Sequence, residues 1–212
     1  MIICVTSFLL GESSNRKRDS YGFFYTNKAN TILLAPPVFH DANKEMFNGF
    51  YNTLSSKLSF AGYYVFPSYV ISDLLANNND IQFDDLIDKV KPDLVLYTEV
   101  DYYINDLESI RIKITYTLKS TLIRATVFEK VCELKYLPRN DDYNSTENKS
   151  FGKMFLEGIS TGLDVGLKKT SYMVLQSSSI AFHDLPYGVY HKKHRKDGRK
   201  RIRPYYVNEI IH

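Results

Sequence analysis

The sequence predicts an α/β domain: a mixed β-sheet with flanking helices, a βαβαβ opening followed by antiparallel strands, a long carboxy-terminal helix and a basic tail. Three observations carry this reading. Apolar runs closed by prolines alternate with helix-period stretches over residues 31–103, the pattern of parallel strands joined by right-handed crossovers. Residues 110–119 alternate strictly between apolar and polar side chains, the period of a strand with one buried face. The chain of 212 residues is 44% hydrophobic and 24% charged, enough apolar material for one globular core and too much for wholesale disorder.

Residues 2–10 (IICVTSFLL) form an apolar run. It is far short of the ~20 residues that span a bilayer and has the length of the apolar region of an export signal. It ends Leu9-Leu10-Gly11, with Glu12 where a lipoprotein signal places its lipidated cysteine. The early cysteine, Cys4, follows Ile3, where such processing needs a small residue. Residues 12–20 (ESSNRKRDS) are polar and read as a linker. The chain thus divides into an export-signal-like segment and linker (1–20), a single α/β domain (21–190) and a basic tail (191–212).

Within the domain, the run Thr31–Ala35 reads as a buried strand ended by Pro36-Pro37, because proline cannot donate to a ladder. A helix follows, with Ala42, Met46, Phe47, Phe50, Tyr51, Leu54, Leu58 and Ala61 on one face, Asp41 as its N-cap and Gly62 as its stop. Tyr63–Phe66 is a second strand, closed by Pro67. Val70–Ala76 is a short helical piece before the Asn77–Asp80 turn. Phe83, Leu86, Ile87 and Val90 give a helix face ended by Pro92, and the third strand runs from Asp93 to Tyr103.

The next strand buries Ile110, Ile112, Ile114, Tyr116 and Leu118, and forms a hairpin with the third. Residues 121–136 read as a strand pair with Ile123, Ala125 and Val127 inward, and 137–150 as a polar loop. The last helix is expected over about 151–180. Its Gly158, Gly162 and Gly166 recur every four residues and allow close approach of a second surface, in this chain or in a second copy. Asp164, Lys168 and Lys169 speak against a lipid-embedded helix.

The chemistry-bearing residues are sparse. No phosphate loop, Rossmann fingerprint, nucleophile elbow or paired metal-ligand motif occurs, so neither a cofactor nor a metal is expected. Two cysteines exclude a disulfide framework and a four-cysteine zinc site. Among the histidines (His40, His183, His191, His194, His212), His191 and His194 could share a helix turn, but neighbouring cations disfavour a metal there. Cys132 fits a buried thiol. Glu99 and Asp101 alternate along the third strand with Tyr97 and Tyr103; such a pair could do acid–base work only if one member were buried.

Charge is the strongest asymmetry. From His191 to Arg203 there are eight cations, Lys192, Lys193, Arg195, Lys196, Arg199, Lys200, Arg201 and Arg203, against Asp197 alone. That segment carries +7 and, with a chain total of +3, the remainder carries −4. It reads either as a solvated extension or as a contact for an anionic partner, whether nucleic acid, anionic lipid or an acidic protein.

Four segments in register, ILLAPPV (32–38), AGYYVFP (61–67), PDLVLYTEVDYY (92–103) and LPYGVYHKKHRKD (185–197), resemble an uncharacterised bacterial envelope lipoprotein family catalogued as a genome-derived meningococcal antigen. The matching residues are Pro36, Pro37, Gly62, Tyr63, Tyr64, Val65 and Pro67, then Leu185, Pro186, Tyr187, Gly188 and His191. The resemblance implies a fold like the amino-terminal domain of TolB and lipid attachment on the periplasmic side of the outer membrane. It also implies a setting beside a curli-secretion-channel-like lipoprotein among other envelope proteins, and it supplies no catalytic residues. The sequence departs from the family at Glu12, where the lipidated cysteine is expected, and in the length of its basic run. The function expected is a non-enzymatic structural or assembly component of the envelope. The alternative is an anionic-polymer or nucleic-acid binder using the basic tail, and an enzyme built on Glu99 or Asp101 ranks third.

Overall fold

A computed structural model describes residues 16–41, 50–67, 83–105, 110–136, 165–202 and 209–211. One mixed sheet contains seven strands: β1 (Thr31–Leu34), β2 (Val38–Asp41), β3 (Tyr64–Val65), β4 (Leu94–Asn105), β5 (Ile110–Ser120), β6 (Ala125–Tyr136) and β7 (Glu209–Ile211). Their order is β3-β1-β4-β5-β6-β7, with β2 pairing β4. Among the described residues the helices are α1 (Lys17–Ser20), α2 (Gly22–Thr26), α3 (Phe50–Phe60), α4 (Phe83–Val90) and α5 (Val165–His183).

The parallel half forms as the alternation of runs and helices requires: β1 pairs parallel with both β3 and β4. Ile32 and Leu34 enter one core while Leu33 and Ala35 enter another. Burial on both faces is why this strand is continuously apolar. The larger core lies on the sheet face that α3 and α5 cover, through Leu54, Leu58, Met173 and Phe182. On the other face α4 closes a smaller core with Leu86 against Leu33 and Val95. Asp93 fixes the start of the parallel pair. Its Oδ2 accepts from the Asn30 and Thr31 N–H groups (2.8 and 2.9 Å), and the Thr31 hydroxyl accepts from the Asp93 N–H.

Several expectations need correction. Pro36-Pro37 interrupts the ladder rather than ending it. The Ala35 N–H bonds the Leu96 carbonyl, and pairing resumes as β2 with Val38 opposite Glu99. Between Leu34↔Leu96 and Val38↔Glu99 the proline side spends four residues against three on β4, so the two prolines absorb one extra residue. Asp41 closes β2. The stretch 121–136 is a turn and one twelve-residue strand, not a strand pair. Register slips at Val127, between Leu118↔Phe128 and Lys119↔Thr126. From there the inward residues are Phe128, Cys132 and Leu134, while Ile123 is exposed in the turn. A one-residue bulge swaps the faces of everything beyond it. A second bulge at Asp101, between Val100↔Ile114 and Tyr102↔Lys113, ends the alternation expected through Tyr103.

The segment expected as a linker is folded from Arg16 onward, with Lys17 buried in α1. The basic run is not a free extension either: residues 191–202 lie against α1 and the end of α3, and β7 pairs parallel with β6. The expected helix at Val70–Ala76, the 137–150 loop, the first part of the helix over 42–61, and Gly158 and Gly162 lie outside the described residues. Gly166 lies in α5. Among the described residues no helix is long and apolar enough to cross a membrane.

Candidate functional site

Helix α3 ends into Gly62, whose φ of +89° is the left-handed stop that glycine adopts without cost. Two backbone bonds attach the late segment here: the Gly188 N–H to the Ala61 carbonyl (2.8 Å) and the Tyr190 N–H to the Gly62 carbonyl (3.1 Å). The approach is so close that a Cβ on Gly62 would lie 2.5 Å from the His191 Cβ. Tyr63 is buried, and its hydroxyl donates to the Pro186 carbonyl at 2.7 Å. Burial pushes that phenol well above its ordinary pKa.

The Tyr187 ring stacks on the His191 imidazole, with centroids 3.8 Å apart and 9° between planes. The Lys193 N–H donates to His191 Nδ1 at 3.0 Å. Desolvation first, then Lys193 and Lys192, hold the His191 pKa below the usual histidine value, consistent with Nδ1 acting as an acceptor. His194 Nδ1 lies 2.8 Å from the Tyr187 carbonyl, which only a protonated Nδ1 can satisfy. Gly62, Tyr63, Pro186, Tyr187, Gly188 and His191 therefore meet in one clasp, and Leu185 is buried beside it. Pro36 and Pro37 sit apart, at the break between β1 and β2. Tyr64 is half exposed, with its ring edge-on to Phe66, and Pro67 follows β3.

Beneath the clasp is a group that sequence reasoning missed. The Lys17 ammonium is buried 3.4 Å from Asp197 Oδ2, and also donates to the carbonyls of His183 and Leu185 (3.2 and 3.3 Å). The Tyr25 hydroxyl donates to Asp197 Oδ1 at 3.0 Å. Burial lowers the Lys17 pKa, opposed by the Asp197 and Asp184 charges. Asp184 is also fully buried, with Lys130 3.9 Å from its Oδ2 and His183 Nδ1 3.2 Å from its Oδ1. The available signal was the solitary acid in a run of eight cations: an acid so placed is a candidate for an inward-facing partner.

Because Asp197 is 1% exposed, the outer surface of this segment is left to cations. Lys192, Lys193, Arg195, Lys196, Arg199, Lys200 and Arg201 are all exposed; Arg203 lies outside the described residues. Backbone bonds from the Lys17 N–H to the Lys200 carbonyl (2.9 Å) and from the Arg18 N–H to the Gly198 carbonyl (3.1 Å) bring exposed Arg16 and Arg18 to the same run.

The carboxylate pair is a separate, shallower feature. His40 on β2 joins Glu99 and Asp101 on β4, with possible ligand atoms within 4.8 Å of one another. His40 and Glu99 are exposed, and Lys113 forms a 2.6 Å ion pair with Asp101. A metal would have to compete with that ammonium; Glu99 is exposed and Asp101 half-buried. The Cys132 thiol is buried, 3.5 Å from the Ser177 carbonyl.

No protein-family model matches the sequence, and no curated protein matches it in sequence. Part of the fold is similar to that of solved bacterial proteins. Lipoprotein GNA1162 from Neisseria meningitidis is 19% identical, with a TM-score of 0.45 over 61% of this chain and 94% of that one. A PelC dodecamer from Paraburkholderia phytofirmans is 8% identical, with a TM-score of 0.45 over 75% of this chain and 90% of that one. The protein CT253 from Chlamydia trachomatis is 10% identical, with a TM-score of 0.38 over 70% of this chain and 98% of that one.

Proposed function

We propose that this chain is a bacterial envelope-associated protein acting as a non-enzymatic structural or assembly component. The observation that carries the reading is where the motif residues go. Gly62, Tyr63, Pro186, Tyr187, Gly188 and His191, the residues through which the sequence resembles an envelope lipoprotein family, are committed to backbone approach, stacking and burial. They hold a scaffold together. The apolar run at residues 2–10 supports delivery to the envelope.

The finer reading places the protein on the periplasmic side of the outer membrane, on a TolB amino-terminal-like scaffold. Its partners there are other envelope proteins, a curli-secretion-channel-like lipoprotein first among them. Self-association through the Gly158, Gly162 and Gly166 face belongs to the same reading. Fractionation of native cells, with intact mass of the membrane-extracted protein, tests location and lipidation together. Recovery of the full-length protein in the cytosolic fraction would overturn the proposal. For self-association, Gly162→Leu is expected to lower assembly mass while leaving the melting temperature in place.

A further inference from the structure

We infer that the basic surface built from Arg16, Arg18 and the 192–201 run is a docking surface for anionic phospholipid headgroups; the inference rests on the envelope reading above. Three observations converge on it. The run does not carry its own counter-ion outward. Asp197, its one acid, is buried against Lys17 and Tyr25, so the exposed cations of the run are not matched by an exposed acid of the run; Asp19 on α1 is the exposed acid beside Arg18. The two segments that contribute cations are far apart in sequence, yet bonded backbone to backbone, including an antiparallel bridge between Arg16 and Arg201. They present a shaped surface in place of a flexible tail.

The surroundings favour lipid over another polyanion. Tyr190 and Phe60 are 71% and 82% exposed. In sequence the first precedes His191 and the second lies two residues before Gly62, the two residues that meet in the clasp. Large rings beside cations suit the headgroup region, where apolar bodies and charged tips are both accommodated. Residues 1–15, which lie outside the described residues, join the domain at Arg16, inside the basic surface. Only residues 11–15 separate the apolar run 2–10 from that point. Five residues reach at most ~18 Å, so the basic surface cannot lie far from wherever the apolar run is held. While the unprocessed apolar run engages a bilayer, as an export-signal region does, the basic surface lies near the headgroups. The rest of the chain carries −5 and is repelled by the same membrane surface, which orients the domain with its cations toward the membrane.

The test is co-sedimentation of the full-length protein with vesicles of phosphatidylcholine alone and of phosphatidylcholine with a quarter phosphatidylglycerol. Binding to the anionic vesicles is expected to be at least about tenfold tighter, and the excess to fall steeply with salt. Lys193→Glu with Lys196→Glu is expected to abolish the excess; both side chains are exposed and outside the clasp. Lys89→Glu with Lys91→Glu, an equal charge change at α4 on the other sheet face, is expected to retain it. If the first pair fails to fold by circular dichroism, Lys192→Glu with Arg199→Glu replaces it. The inference is overturned by an excess that survives the 193/196 reversal, by equal binding to both vesicles, or by a DNA duplex that displaces the protein at matched phosphate concentration. Equal binding to both vesicles would still report the apolar segment and leave the envelope reading intact, which fractionation decides separately.

Discussion

A side chain on Gly188 would collide with the carbonyl of Gly62, whose own missing side chain makes room for His191. Each glycine is thus the vacancy into which the other segment fits, and the obstructing atoms are backbone, which cannot rotate away. Gly188→Ala and Gly62→Ala are each expected to cost about 2–4 kcal/mol, the second with a positive-φ penalty included. Urea denaturation measures this; a change below half a kcal/mol at both positions would mean that the clasp yields freely.

Lys17 and Asp197 should behave as a unit. Lys17→Met leaves a carboxylate buried at 1% exposure without its ammonium, a loss expected to cost about 3–5 kcal/mol. Burial lowers the Lys17 pKa, so holding the charge inside is itself a cost. The double change Lys17→Met with Asp197→Leu is therefore expected to recover much of the single-mutant loss. A double-mutant cycle reads the coupling directly, and strictly additive effects would contradict the pairing.

Tyrosine ionisation sets the alkaline limit. Burial raises the pKa values of Tyr21, Tyr25, Tyr51, Tyr63 and Tyr116 in the folded protein. A raised folded pKa means stability that is complete below the unfolded value of about 10 and lost as pH climbs above it. Absorbance at the tyrosinate band is expected to show some phenols ionising without structural change and a second group ionising only with loss of circular dichroism. A single smooth titration with the fold intact would show these rings to be open to solvent.

The thiol of Cys132 is held in the core between β6 and α5. With Cys4 replaced by serine, the remaining thiol is expected to react with a disulfide reagent at a rate set by opening of the fold. Reaction is slow in buffer and fast in denaturant. Rapid labelling of the native protein would place Cys132 at the surface.

The elements legible in the sequence were those whose signal is local. Ile112, Ile114, Tyr116 and Leu118 announce β5 by period alone, and all four are buried. The unbroken apolar run Ile32–Ala35 announces a buried strand, and its alternate residues enter the two cores. What failed depended on register or on distant chain. Nothing near Val127 or Asp101 marks the bulges, because a bulge is set by how the neighbouring strand pairs. The prolines at 36–37 forbid donation at two positions but not resumption of the ladder at Val38. Lys17 looked like one more linker charge because the residue that makes its burial tolerable comes 180 positions later. The clasp was half visible: its glycines and tyrosines stood out as motifs, while the contact between them needed the fold.

The same long separation has a consequence for the order of events during synthesis. A ribosome delivers Lys17 early and Asp197 late, so the first helix has no buried site to occupy until nearly the whole polypeptide exists. β1 likewise waits for β3 and β4 to arrive. Contacts that span so much of the chain slow folding. The amino-terminal helix is then secured only once the segment carrying Asp197 has been made, so the chain stays open until synthesis is nearly complete.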